Sequence, residues 1–491
     1  MHTYRAGAAR AAAEVAGEFQ VPFARPLPRP DSTIRRRRAV ETARVATRRF
    51  APLVAARFRR RSGPSPAAAL RRTFEDLGAT YIKFGQLVAS SPGMFGDDVS
   101  DEFRSCLDTG PPVPYEVVRD VVETELGRRL EDVFTEFSRT PIAAASIAVV
   151  HEARLPDGRR CAVKVLRPGI EETVAADLDL MEPLLEFLMH RVGVEMAFPL
   201  LRVLGGFREQ IAEELDLRNE ARTMAHYRVL AAELGLDHIA IPEPYEAVSG
   251  RTVLTMEFLD GVPIDDLAAI AATGSDPRPL VQEVTKAWFM TAVRDGLFHG
   301  DVHAGNLLLL RDGRLGVIDW GIVGRLDADT HRFFRRTLEG ALGDESAWDD
   351  IAAHVSETFG PVVRDTLGLD DEGMRELVRS MVEPMLSQPF GQASLATFFT
   401  TIQKGWADEP ASAEGRRTVR EVLRHWRRLR RLRSDARDSG MYDADFNRSV
   451  FLLGKQLMYF ERYGKMFLAD VALLEDRDFF AQLLAEEPSI R

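Results

Sequence analysis

His299-Gly300-Asp301-Val302-His303-Ala304-Gly305-Asn306, followed thirteen positions after Asn306 by Asp319-Trp320-Gly321, decides the fold of this 491-residue chain. Catalysis of phosphoryl transfer rests on positioning and charge stabilisation: one carboxylate faces the nucleophile, while an Asn and a second Asp hold Mg2+ on the phosphates. Asp301 and Asn306 are five apart, the spacing of the kinase catalytic loop H-R-D-x-x-x-x-N. Arg311-Asp312-Gly313-Arg314 reads as a turn that returns the chain as a hairpin and delivers Asp319 beside Asn306. Taken singly, Asp301, His303 and Asn306 are equally readable as loop residues tied up in local hydrogen bonds. A transition-metal site built from His299, Asp301 and His303 lacks further ligands at helical spacing.

Upstream, Ala162-Val163-Lys164-Val165 places a lysine on an otherwise apolar strand, where partial burial demands an anionic partner. ATP phosphates supply one; the plainer reading is a lysine that snorkels from an edge strand. The loop before it, Ala143-Ala144-Ala145-Ser146, stands where protein kinases carry a glycine-rich phosphate cover. Alanine does not take positive φ as glycine does, so this loop is expected to be stiffer.

Apolar residues make up 45% of the chain and charged residues 28%, which excludes wholesale disorder and fibrous or disulfide-scaffold classes. The formal charge of -11 conceals a basic segment, with Arg35 to Arg38 and the cluster Arg57, Arg59, Arg60 and Arg61. Two cysteines, Cys106 and Cys161, build no disulfide framework and no metal site, which points to a reducing compartment. The windows Pro384 to Gln403 and Val450 to Leu468 are too polar or too charged to span a membrane, and the start of the chain lacks a secretory h-region. A cytoplasmic protein is the expectation, with a peripheral place at the inner membrane face as the alternative.

Periodicity predicts helices over 66–88, 115–126, 170–192, 200–234 and 279–296, and a helical chain beyond Asp327. Strands are expected at 146–155 and 160–165, joined by Pro156-Asp157-Gly158, at 239–248 and 252–258, and on either side of 311–314. The fold class is α+β, a protein-kinase-like two-lobed fold with a helical N-terminal extension and a helical C-terminal region. Its expected parts are a flexible basic lead-in (1–64), a helical extension (65–135), a β-containing N-lobe with inserted helices (136–260) and a helical C-lobe carrying the catalytic and Mg loops (261–491).

Over Leu70 to Arg325 the chain resembles the UbiB/AarF family of atypical kinases. The resemblance is carried by Lys83-Phe84-Gly85-Gln86 (K-x-G-Q), the alanine loop, Ala162 to Lys164, Glu214-Leu215-Asp216 (E-x-D) with Glu220, and the loops at Asp301 and Asp319. It implies ATPase or small-molecule kinase activity, ATP/ADP and Mg2+ as cofactors, and a link to lipid or isoprenoid quinone metabolism. It further implies that Lys164 contacts phosphates and pairs with Glu220, and that Asp301 holds the catalytic-loop position. Asn306 and Asp319 would bind Mg2+, and Ala143 to Ser146 with Met256, Glu257 and Phe258 would line the nucleotide. Lys83 and Gln86 would face Glu214 and Asp216 as a regulatory lid, which favours a small or lipid-like acceptor over a protein.

Two other readings remain open on sequence: a phosphotransferase of the aminoglycoside or choline kinase kind, and a nucleotide-binding scaffold with little chemistry. Arg35 to Arg61, interleaved with Val45, Phe50, Leu53, Val54 and Phe58, reads either as a solvated helix face packed on the protein by its apolar side or as a peripheral membrane contact, to which Arg424 to Arg433 around Trp426 would add. Nucleic-acid binding is not expected, because stacking aromatics are sparse in the basic stretch and the whole chain is acidic. The phosphoryl acceptor and the oligomeric state have no linear signature.

Overall fold

The computed structural model describes residues 26–58, 65–89, 97–103, 105–106, 110, 112–192, 197–274, 276–367, 370–392 and 444–488. The chain divides into two compact units, one of residues 1–280 with 301–323, the other of 281–300 with 324–491.

In the first unit, α1 (Ser32–Phe58) begins where Asp31 Oδ1 accepts from Thr33 N at 2.5 Å. The lead-in expected through residue 64 therefore holds a 27-residue helix, capped by Asp31 and free of glycine. Ser65 caps α2 (Pro66–Leu77), with Pro66 at the first helical position. The single helix expected over 66–88 is two, because Gly78 at φ 91° ends α2 and the chain restarts as α3 (Ala79–Ala89). A short α4 (Asp97–Phe103) follows, then α5 (Tyr115–Leu126), which Gly127 terminates at φ 61° as read from sequence, and α6 (Leu130–Val133).

The first sheet comprises β1 (Glu136–Phe137), β2 (Ala143–Ala144), β3 (Ala148–Arg154), β4 (Arg160–Leu166) and, later in the chain, the strand Val253–Glu257. The hairpin of β3 and β4 sets Val150 opposite Lys164 and turns through Gly158 at φ 89°. One face of this sheet buries Val149, Val163 and Val253 against Val118 and Val122 of α5. Inserted between its strands are α7 (Ile170–Val192), α8 (Ala197–Glu214) and α9 (Leu217–Glu233).

The run expected as a strand over 239–248 is a regular strand only as β5 (Ile239–Ala240); beyond it a single antiparallel bridge joins Pro244 to Met256 before a 3-10 turn at Glu246–Val248, since Pro242 and Pro244 offer no N–H to a continuous ladder. Numbering Val253–Glu257 as β6, the second sheet takes β5, β7 (Gly261–Pro263), β9 (Leu307–Leu310) and β10 (Leu315–Val317) in the order β5-β10-β9-β7. Between β7 and β9 run α10 (Leu267–Thr273), α11 (Arg278–Asp295) and β8 (Leu297–His299).

The second unit is mainly helical: α12 (Ala328–Leu342), α13 (Glu345–Leu367), α14 (Asp371–Ser387), α15 (Ala444–Phe467) and α16 (Arg477–Ala485). Trp288, Phe289, Phe334, Phe460 and Phe480 form its aromatic centre, with Trp288 and Phe460 edge to face at 5.2 Å. No helix among the described residues is long and apolar enough to cross a membrane. The basic run Arg424 to Arg433 and the cluster Arg59 to Arg61 lie outside the described residues.

Candidate active site

The residues expected to act on nucleotide, metal or lid all fall within the first unit, whereas His299 at the start of the catalytic-loop motif belongs to the second. Lys164 stands on the central strand β4, opposite Val150 on one side and Leu254 on the other. Its Nζ donates to Glu220 Oε1 and Oε2 at 3.0 and 2.8 Å and to Asp319 Oδ2 at 3.3 Å. The lysine and Glu220 are 14% and 3% exposed, while Asp319 at 38% opens to solvent.

Glu220 owes its place to a helix break. The expected single helix over 200–234 stops at Glu214, and Asp216, at φ −126°, caps the next by accepting from Arg218 N at 3.2 Å. Leu217 N donates to Arg251 O, which fixes the new helix axis and sets Glu220 in its first turn. Asp216 therefore sits at the break between the two helices, while Glu220 lies inside the second. Asp216 pairs with the Arg218 guanidinium, with Nε at 2.8 Å.

Electrostatics separates the carboxylates. Burial drives the Glu220 carboxyl up to about 7, against the pull of the Lys164 ammonium. Desolvation also works to raise Asp319, but Lys164, then Lys83 and the Gly321 N–H, hold it well below the usual carboxylate range. Burial would lower the Lys164 ammonium; the charges of Asp319 and Glu220 overcome this and keep it protonated. Gly321 N donates to Asp319 Oδ1 at 3.0 Å, and a Cβ there would meet Asp319 Oδ1 at 3.3 Å, Glu214 Cγ at 3.8 Å and Glu220 Oε2 at 3.9 Å. Three acidic side chains ring this glycine.

The Asp301 loop is closed by its own backbone. Asp301 O accepts from His303 N at 2.9 Å and from Asn306 Nδ2 at 3.0 Å, and Asn306 N donates to His303 O at 2.8 Å. Ile318 N donates to Asn306 O at 3.0 Å, so the β9–β10 hairpin joins the Asn306 loop directly to the residue before Asp319. Among the described residues no group of three His, Cys, Asp or Glu side chains is arranged to hold a metal ion. Asn306 and Asp319 offer oxygen donors of the kind a hard cation takes when phosphate and water complete its shell.

The alanine loop is less free than a loop reading allows. Ala143 and Ala144 pair with Val150 and Val149, Ala144 O accepts from Gly110 N at 3.1 Å, and Ala145 O accepts from Arg167 Nη2 at 2.8 Å. Gly110 is required there, because a Cβ would lie 2.6 Å from the Ala145 carbonyl oxygen as well as against that guanidinium. Ser146 is buried. Nothing in the linear sequence ties Arg167 or Gly110 to Ala145, and neither was a candidate. Met256 is paired with Ala162, Glu257 N donates to Glu243 O, and Phe258 N donates to Arg160 O at 3.3 Å, with the Arg160 guanidinium 4.2 Å over the Phe258 ring.

On the extension, Lys83 Nζ lies 2.5 Å from Glu214 Oε2, both side chains largely buried. Phe84 meets Phe207 of α8 edge to face at 5.2 Å. Gln86 is half-buried on the same helix.

A family model described as the ABC1 atypical kinase-like domain matches residues 105–348. A chloroplastic aarF domain-containing protein kinase of Arabidopsis thaliana is 35% identical over 414 residues, covering 83% of this chain and 73% of that protein. An uncharacterised Mycobacterium tuberculosis protein is 34% identical over 425 residues, 85% of this chain and 78% of its own. The probable protein kinase UbiB of Marinobacter nauticus is 34% identical over 347 residues, 68% of this chain and 60% of its own. With its K-x-G-Q, E-x-D and kinase-loop motifs in order along the chain, this chain belongs to the UbiB/AarF family and carries its ABC1 atypical kinase-like domain.

Proposed function

We propose that the chain binds Mg-ATP and moves or hydrolyses its terminal phosphoryl group, acting on a small or lipid-like acceptor. The observation that supports this best is the Lys164 ammonium held between Glu220 and Asp319, with Asp319 joined through Ile318 to the Asn306 loop. In this reading Lys164 takes the nucleotide phosphates, Glu220 keeps the ammonium aimed, and Asp301 accepts the proton of the attacking hydroxyl. Asn306 and Asp319 would hold Mg2+, which when bound offsets the charge of the phosphates. The pinned alanine loop would present fixed amides to the nucleotide beside Met256 to Phe258. Lys83, seated on Glu214, makes the K-x-G-Q helix a lid over this region and disfavours an extended peptide as acceptor. The link to isoprenoid quinone metabolism rests on the family resemblance.

Calorimetric titration of the full chain with Mg-ATP tests the assignment. Asp319→Ala and Asn306→Ala are expected to weaken binding, and Asp301→Ala to lower turnover by about 10²–10⁴ with little change in affinity. Parent-like binding by both metal-site variants discards the reading.

A further inference from the structure

The N-terminal helix makes a buried contact that no step above uses. Arg38, on α1, donates from Nε to Asp177 Oδ1 at 2.7 Å and from Nη2 to Asp177 Oδ2 at 2.8 Å. The same Nη2 reaches Leu77 O at 2.8 Å, the last residue of α2. The Asp177 side chain, on α7, is 0% exposed and that of Arg38 11%. Thr80 Oγ1, on α3, donates to Asp177 Oδ2 at 2.7 Å. One dry carboxylate therefore gathers α1, the α2–α3 junction and α3. Paired charges are tolerated at such burial only when the geometry satisfies both partners, and the two-pronged guanidinium does so.

Thr80 lies three residues before Lys83, on the same face of the K-x-G-Q helix. Its hydroxyl ties that face to α7, and one turn on Lys83 reaches Glu214 of α8. We propose that Arg38, Asp177 and Thr80 form a buried latch that positions Lys83 against Glu214, so that the N-terminal helix helps to set access to the nucleotide. The effect on nucleotide rests on the function proposed above; the positioning of the helix does not.

Thr80 gives the clean test, because Thr80→Val keeps the side-chain shape and the Arg38–Asp177 pair while removing one bond to α3. In full-length chain, Thr80→Val is expected to shift the Mg-ATP Kd about five-fold, the equivalent of one net hydrogen bond, in the direction of Lys83→Ala. Thr80→Ser should restore the parent value. The double variant with Lys83→Ala should bind as Lys83→Ala alone does, since the latch acts through that lysine. Parent-like binding of Thr80→Val, or fully additive effects, overturns the proposal. Hydrogen–deuterium exchange supplies a readout without nucleotide: faster exchange confined to residues 79–89 in Thr80→Val, restored by Ser, supports the latch. Unchanged exchange, or a rise spread across α1 and α7, overturns it. If the parent itself fails to bind Mg-ATP, the proposed function falls and exchange alone judges the latch.

Discussion

Glu220 accepts Lys164 on one side and faces the Trp320 backbone N–H, at 3.5 Å, on the other, with almost no water to share its charge. Its carboxyl is raised from 4.5 to about 7, so folding favours the protonated form. The sign follows: a raised acid adds stability below about pH 4.5 and loses it as pH climbs through about 7. In nucleotide- and magnesium-free buffer, the stability of the parent relative to Glu220→Gln is expected to fall by up to about 3 kcal/mol across that window and then level off. Urea unfolding at a series of pH values reads it. A relative stability that rises with pH would mean that the Lys164 pair dominates and Glu220 stays ionised. The residue scale is also where sequence reasoning reached furthest. Lys164, Glu220, Asn306 and Asp319 lay in motifs whose order carries meaning, and the structure brings them together. Arg38, Asp177, Thr80 and Arg167 belong to no motif, since a buried partner 139 residues away leaves no linear trace.

Gly85 in α3 explains why the third motif position is small. A Cβ there would meet the Phe103 ring at 3.0 and 3.1 Å and Cys106 Sγ at 3.2 Å, so the ring must give way or the helix must shift. Gly85→Ala is expected to cost about 1–3 kcal/mol in chemical denaturation, the usual range for overpacking, and to loosen the Lys83 contact because both residues ride on one helix. An unchanged denaturation midpoint would show that α3 is not fixed by this packing. Element ends were legible where one residue type dictates them, as at Gly127 after α5 and Gly158 in the β3–β4 turn. They were missed where apolar periodicity ran through a break. Gly78 divides α2 from α3, and Asp216 competes for backbone N–H groups between α8 and α9, while both runs keep their helical spacing. The basic helix α1 looks like lead-in in sequence because charge crowds out its apolar stripe, although Asp31 supplies a capping signal.

At the scale of the whole molecule a chain of net charge -11 carries, among its described residues, a basic outer face, with Arg36, Arg37, Arg44 and Arg48 exposed along α1 around Val40, itself 69% exposed. The inner face of the same helix is committed, through Arg38 to Asp177 and through Arg49 to Asp76 at 2.7 Å. We propose that this outer face meets anionic membrane surfaces, each arginine contributing about 1 kcal/mol at low salt. The full chain is expected to co-sediment with vesicles containing anionic lipid, to be released as salt rises, and to bind more weakly after Arg36→Glu with Arg44→Glu; absence of binding at low salt discards the idea. The discontinuity of the first unit has a different consequence, for synthesis. Among the described residues β5 pairs only with β10 and β7 only with β9, and both partners lie beyond residue 300. At about 5–20 residues per second, a ribosome that has finished residue 280 needs seconds more before either strand can be satisfied. Through that interval the nascent chain carries two open edges, and a shortened gene ending there would encode a lobe that cannot close its own sheet.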